Sequence, residues 1–232
     1  MDSLLTSPFW IPLLEIIGVN IVLSGDNAVV IALAARSLPQ RQQRKAVIFG
    51  SIAAIIMRVI LTLFAVEMLK LPYLKLIGST LLLWIGIQLL VPEEGDGTDI
   101  ESKETLFAAI KTILVADLVM SIDNVIGVAA AARGNVTLLV LGLAISIPLI
   151  IFGSSVMLRF MERFPVIVTL GGALLGYIAG EMAVSDIAIS AWLQEHLHWI
   201  EQPAGIVGAV LVVAVGRWLS RRQFNAGNDR VV

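Results

Sequence analysis

Apolar residues arrive in seven long blocks, at about 11–35, 46–66, 73–91, 108–132, 137–158, 166–187 and 203–219. Crossing a bilayer takes roughly 20 predominantly apolar residues. Hydrocarbon offers no water to a peptide group, so a spanning block has to bond its own backbone, as a helix does. The blocks therefore predict an all-α membrane protein with seven transmembrane helices. Composition agrees: 58% of the residues are hydrophobic and 15% charged, where soluble domains run at about 45–50% and about 25%. The opening MDSLLTSPFW has no basic stretch of the kind a cleaved signal peptide carries, so the first span is expected to be retained. The chain has no cysteine, which removes disulfides, thiolate ligands and thiol nucleophiles.

Seven spans put alternate connections on opposite sides. One side then collects twelve Lys and Arg, and the other collects Lys70, Lys75 and Arg133, with Arg58 inside a span. Positive charge favours the cytoplasmic side. The predicted orientation is N-terminus outside and C-terminus cytoplasmic, in the plasma membrane. The acidic segment PEEGDGTDIESKET at 92–105 reads as a cytoplasmic linker. Both histidines, His196 and His198, fall in the outer loop around EHLHWIEQP and read as aqueous or interfacial residues.

The chain repeats itself. Residues 20–36, NIVLSGDNAVVIALAAR, match 117–133, DLVMSIDNVIGVAAAAR, at eight of seventeen positions, among them Ser24/Ser121, Asp26/Asp123, Asn27/Asn124 and Arg36/Arg133. Residues 72–93 run against 165–186, pairing Pro72 with Pro165, Gly78 with Gly171, and Gln88 with Glu181. The unit is three helices, present twice, with a seventh added. A three-helix unit reverses direction when repeated, which predicts two inverted repeats with a ligand site between them near the midplane. The expected organisation is a first repeat over 1–91, the cytoplasmic linker over 92–107, a second repeat over 108–187, and an outer loop, seventh helix and basic cytoplasmic tail over 188–232.

A carboxylate inside a span costs roughly 2.5–3.5 kcal/mol on insertion scales and usually faces a partner or a cavity. The candidates are Glu15, Asp26, Asp117, Asp123 and Glu181, with Asn20, Asn27, Asn124 and Gln88 beside them; Glu67 and Asp186 lie nearer span ends and read as interfacial. At about 100° per residue, Asn20, Ser24 and Asn27 share a face, as do Asp117, Ser121 and Asn124. Asp26 and Asp123 fall about 100° to one side. Gly25 permits a helix break in the first copy; Ile122 gives no such licence in the second. Carboxylate and amide oxygens without thiolate or imidazole suit hard cations such as Mg, Ca and Mn. The predicted metal site is Asp26, Asn27, Asp117, Asp123, Asn124, Asn20 and Glu181, with cation exchange against protons as the corresponding transport chemistry. Arg58 is expected to neutralise one acid, Glu15 or Asp26. Gly18, Gly50, Gly78, Gly142, Gly171, Gly172 and Gly176 read as close-packing positions.

At NIVLSGDNAVVIALA and ADLVMSIDNVIGVAA the chain resembles the TerC family of membrane proteins, in particular its shorter YjbE-like branch, over essentially its whole length. The resemblance implies a seven-helix fold related to the LysE superfamily of exporters. It implies export of a divalent metal cation, chiefly Mn2+, and carries the family's acids onto Asp26, Asp117 and Asp123. The sequence departs from many relatives at Asn20, where they have an acid six residues before the first motif's Asp; Glu181 is the candidate to compensate. Expected partners are the lipid bilayer, the transported divalent ion, protons as coupling ion and a second copy in a homodimer. No nucleic acid, resident cofactor or enzymatic activity is expected. An intramembrane aspartyl protease would carry GxGD and YD motifs, and this chain has SGD and no Tyr-Asp. The alternatives are transport of Ca2+ or another small cargo, or a non-transporting role in a metal-stress complex.

Overall fold

A computed structural model describes residues 7–22, 25–68, 71–91, 101–132, 134–196, 199 and 201–228. Among them the chain is helical, with no strand: α1 (Ser7–Val22), α2 (Gly25–Ala35), α3 (Gln40–Met68), α4 (Leu74–Leu90), α5 (Glu101–Ala132), α6 (Val136–Arg163), α7 (Val166–Val184), α8 (Ser190–His196) and α9 (Glu201–Asn228). Five helices are long and apolar enough to cross a membrane, and a sixth span is counted if the bent pair α1 and α2 is one crossing. The third predicted span is the 17-residue α4, at the short end of what a bilayer requires. The outer loop contains a short helix, α8, and the end of the expected linker, from Glu101, is already α5. Residues 92–100, Ser24, Arg133 and His198 lie outside the described residues.

The two copies of the repeated motif fold differently. In the first, α1 and α2 meet at a bend of 47° before Gly25. In the second, α5 runs unbroken through Asp123. Among the described residues a Cβ on Gly25 would meet nothing within 4 Å, and its φ is not in the left-handed region, so neither packing nor backbone conformation demands glycine there. Ile122 is buried and β-branched, and its helix continues.

The helices group into two compact units. One contains residues 1–70 and 104–159; the other contains 71–103 and 160–232. Each takes helices from both halves of the sequence. In the first unit α3 turns Phe49, Ile56, Leu63 and Phe64 outward and buries Val47, Ser51, Ala54, Arg58 and Leu61. An apolar exterior over a partly polar interior is what lipid as solvent requires. Leu61 and Val125 form a buried α3–α5 contact flanked by Met57, Leu118 and Met68. A Cβ on Gly50 would lie 2.7 Å from Ile113 Cδ1, and one on Gly142 would lie 2.5 Å from Ile16 Cγ2. These glycines let α5 approach α3 and α1 approach α6. Gly18 is different: among the described residues a Cβ there meets nothing within 4 Å, so no described neighbour makes it the packing position the sequence suggested.

In the second unit, Gly172, Gly176 and Gly180 recur every fourth residue on α7. A Cβ on Gly176 would strike the Gly208 carbonyl of α9, and one on Gly180 would strike the Ala204 carbonyl. Backbone lies against backbone, the close approach that small residues give helices in lipid. Leu90 of α4 then fills the space over Gly172 and Gly216.

Asp186 closes this unit. It lies just past the end of α7, near a span end as expected, and is fully buried. Its Oδ1 accepts the backbone N–H groups of Tyr73 (3.0 Å) and Ala188 (2.8 Å), and its Oδ2 accepts that of Leu76 (3.1 Å). The first N–H groups of a helix lack partners within it, and α4 has no cap from its own N-cap residue Tyr73, which sits at φ 66°. Asp186, beyond the end of α7, supplies that cap across the unit. Burial pushes its carboxyl up, but the N–H groups of Ala188, Leu76, Tyr73 and Lys75 outweigh it and hold the pKa below 3.8. A lowered folded pKa stabilises the fold fully above the unfolded value and loses that contribution as pH falls through the folded one. Asp186→Asn should therefore lower stability at pH 7 by about 1–2 kcal/mol. Thermal melts in detergent should find the gap to wild type narrowing below pH 3.8; a constant gap would assign the loss to packing.

Candidate functional site

Arg58 lies in α3 with 1% of its surface exposed. Its Nη2 donates to Asp117 Oδ1 at 2.6 Å, an ion pair with α5. Its Nη1 donates to Asn20 Oδ1 of α1, also at 2.6 Å. Its Nε donates to Ser121 Oγ at 3.1 Å, and the Ser121 hydroxyl donates to Asp117 Oδ2 at 3.2 Å. One step further along α3, the Thr62 hydroxyl donates to the Arg58 carbonyl at 2.7 Å. Asn20 and Ser121 are 0% exposed and Asp117 is 5% exposed. Three helices thus converge on one guanidinium.

Helix geometry explains the convergence. Asp117 and Ser121 are four residues apart, so both project from one face of α5. Asn20 and Asp117 occupy aligned positions of the internal repeat, each six residues before the Asp of its motif. The aligned residues meet at the same side chain. The acid that Arg58 pairs with is Asp117, which the sequence did not single out for it; Glu15 is exposed.

The other predicted residues stand around or apart from this cluster. Asp26, in the first turn of α2, is half-buried and feels the charges of Arg58 and Asp117. Its Oδ1 accepts the backbone N–H of Asn27 at 2.8 Å, and Asn27 is buried. Gly153 of α6 faces Ala28, the next residue of α2. On α5, Asn124 is half-buried on the Asp117 side and Asp123 is exposed, as a 100° offset between neighbours dictates. Glu181 belongs to the second unit, where it hydrogen-bonds the Tyr177 hydroxyl one turn earlier on α7. Among the described residues no group of three or more Asp, Glu, His or Cys side chains gathers around one point.

Charge decides what this arrangement can hold. Two unit charges about 4 Å apart interact by about 4 kcal/mol at an effective dielectric of about 20. A divalent cation beside Asp117 would meet roughly twice that repulsion from Arg58. The Asp26 and Asp123 carboxylates have more open surroundings, one half-buried and the other exposed. Sequence reasoning found Asp117, Ser121 and Asn20 but not the partner that gathers them; the signal was Arg58 itself, a lone cation in a span that has to be answered by an acid.

These are the features of a multi-pass α-helical membrane protein with ionisable groups buried in its helices. The chain belongs to the TerC family: the model of the integral membrane protein TerC family matches residues 5–224. It is 45% identical over 188 residues to the membrane protein YjbE of Bacillus subtilis (strain 168), covering 81% of this chain and 86% of that one. It is 28% identical over 173 residues to YceF of the same organism, covering 71% and 67%. It is 27% identical over 189 residues to the UPF0053 inner membrane protein YoaE of Escherichia coli (strain K12), covering 73% of this chain and 36% of YoaE. No solved structure matches it.

Asn20→Leu removes the acceptor of Arg58 Nη1 without touching an ionised group. Leaving a buried donor unsatisfied costs about 1–3 kcal/mol, so the variant should melt below wild type. An unchanged melting temperature would mean that Asn20 contributes nothing to the cluster.

Proposed function

We propose that the protein is a secondary transporter that exports a divalent metal cation, Mn2+ foremost, across the plasma membrane in exchange for protons. The observation that carries this reading is the pair of Asp-Asn motifs, on α2 and α5 of one compact unit. The ion is held by oxygens of Asp26, Asn27, Asp123 and Asn124. Two carboxylates balance one divalent charge, and amide oxygens complete a hard donor set suited to Mn2+. Asp123 is exposed on α5; a carboxylate there would be costly against lipid, which supports a wetted path along that face.

The transport cycle uses a seven-helix arrangement of two inverted repeats, with α1 and α2 as one broken span. The meeting of the aligned residues Asn20 and Asp117 at Arg58 supports pseudo-symmetry of the halves. A helix broken beside its ion ligand is a recurrent feature of such transporters. Family membership and the twelve-to-three charge bias support export toward an outside N-terminus.

The test is uptake of Mn2+, Ca2+ and Mg2+, each separately, into inside-out vesicles, with and without a pH gradient. Gradient-driven Mn2+ uptake is expected in wild type, with loss of about tenfold or more in Asp26→Asn and in Asp123→Asn. Normal flux in either folded variant would exclude the shared site.

A further inference from the structure

We propose that Asp117 does not bind the cargo; with Arg58 it forms a neutral brace that fixes α1, α3 and α5 and leaves the two Asp-Asn motifs to carry the ion. The inference deepens the transport reading above and rests on it. Asp117 has a guanidinium fixed on it at 2.6 Å, with both groups buried. Its second oxygen is taken by the Ser121 hydroxyl, which is itself held by Arg58 Nε. The third donor of the guanidinium is answered from α1 by Asn20. Every group in the cluster is at least nine-tenths buried. A cation entering here would have to displace a packed arginine from three helices at once.

The count of charges fits a brace. One guanidinium needs one carboxylate. The repeat-aligned position in the first half is the neutral Asn20, which offers an oxygen without a second negative charge. Arg58 is thus a positioning residue, holding the helices that carry Asp26 and Asp123 while cancelling the one acid that does not serve the ion.

The experiment is a double-mutant cycle on the full-length protein, with Mn2+ flux in proteoliposomes and melting temperature in detergent as readouts. Asp117→Leu leaves a buried cation alone and Arg58→Met leaves a buried anion alone, a change far more damaging than replacing both partners by apolar groups. Each single variant should lose flux by about tenfold or more, and Arg58→Met/Asp117→Leu should recover to within about threefold of wild type. The double variant should also melt closer to wild type than either single variant. Leucine cannot ligate a metal, so a folded double variant without flux overturns the proposal. If the apolar pair does not fold, the exchanged pair Arg58→Asp/Asp117→Arg replaces it: recovered flux supports the brace, and a folded but silent protein overturns it. A wild type that moves no divalent ion overturns the transport reading instead. The brace is then decided by melting temperature, where additive losses around the cycle would overturn it.

Discussion

A guanidinium that is almost wholly buried inside a membrane protein has to have its charge answered and its donors filled. Arg58 meets that demand with one acid, one amide and one hydroxyl, drawn from α1 and α5. Removing one partner of such a pair costs about 3–5 kcal/mol, because the other charge stays buried. Few apolar contacts in lipid carry that penalty, since lipid competes with side chains for dispersion. The cluster therefore fixes the relative placement of three helices that the hydrophobic effect leaves loosely specified. It also sets the electrostatic surroundings of Asp26, which lies within reach of both charges.

The second unit solves the same problem by different means. Without a hydrophobic driving force between helices, α7 and α9 approach until backbone touches backbone, on glycines of both helices. Asp186 supplies the polar counterpart, tying the end of α7 to the start of α4 through backbone N–H groups. A satisfied carboxylate at a helix start and a paired arginine in a helix middle follow one rule. A buried polar group in this protein stabilises only where its partners are complete.

Hydropathy blocks made the helices legible, because lipid admits so few backbone solutions. The sequence leaves open whether the helices break at the two motifs; the bend before Gly25 and the continuity through Ile122 are seen only in the structure. The faces of α5 followed from helical spacing: Asp117 and Ser121 are buried while Asp123 is exposed. What spacing cannot encode is which distant residue meets a face. Arg58 could have answered Glu15, Asp26 or Asp117, and only packing of α3 against α5 chooses the last. The capping role of Asp186 is hidden for a similar reason, since Tyr73 and Leu76 lie 113 and 110 positions away in the chain. Gly18 has the look of a packing glycine, and among the described residues a Cβ there meets no neighbour within 4 Å.

The central claim is that the two Asp-Asn motifs bind one divalent ion while Asp117 is already neutralised. Mn2+ binding to the purified protein, followed by the loss of the free-ion electron paramagnetic resonance signal, tests it without requiring transport. The account predicts one bound Mn2+ per chain, abolished by Asp26→Asn/Asp123→Asn and retained by Arg58→Met/Asp117→Leu. No bound Mn2+ in wild type, or binding that survives loss of both motif aspartates, would contradict it.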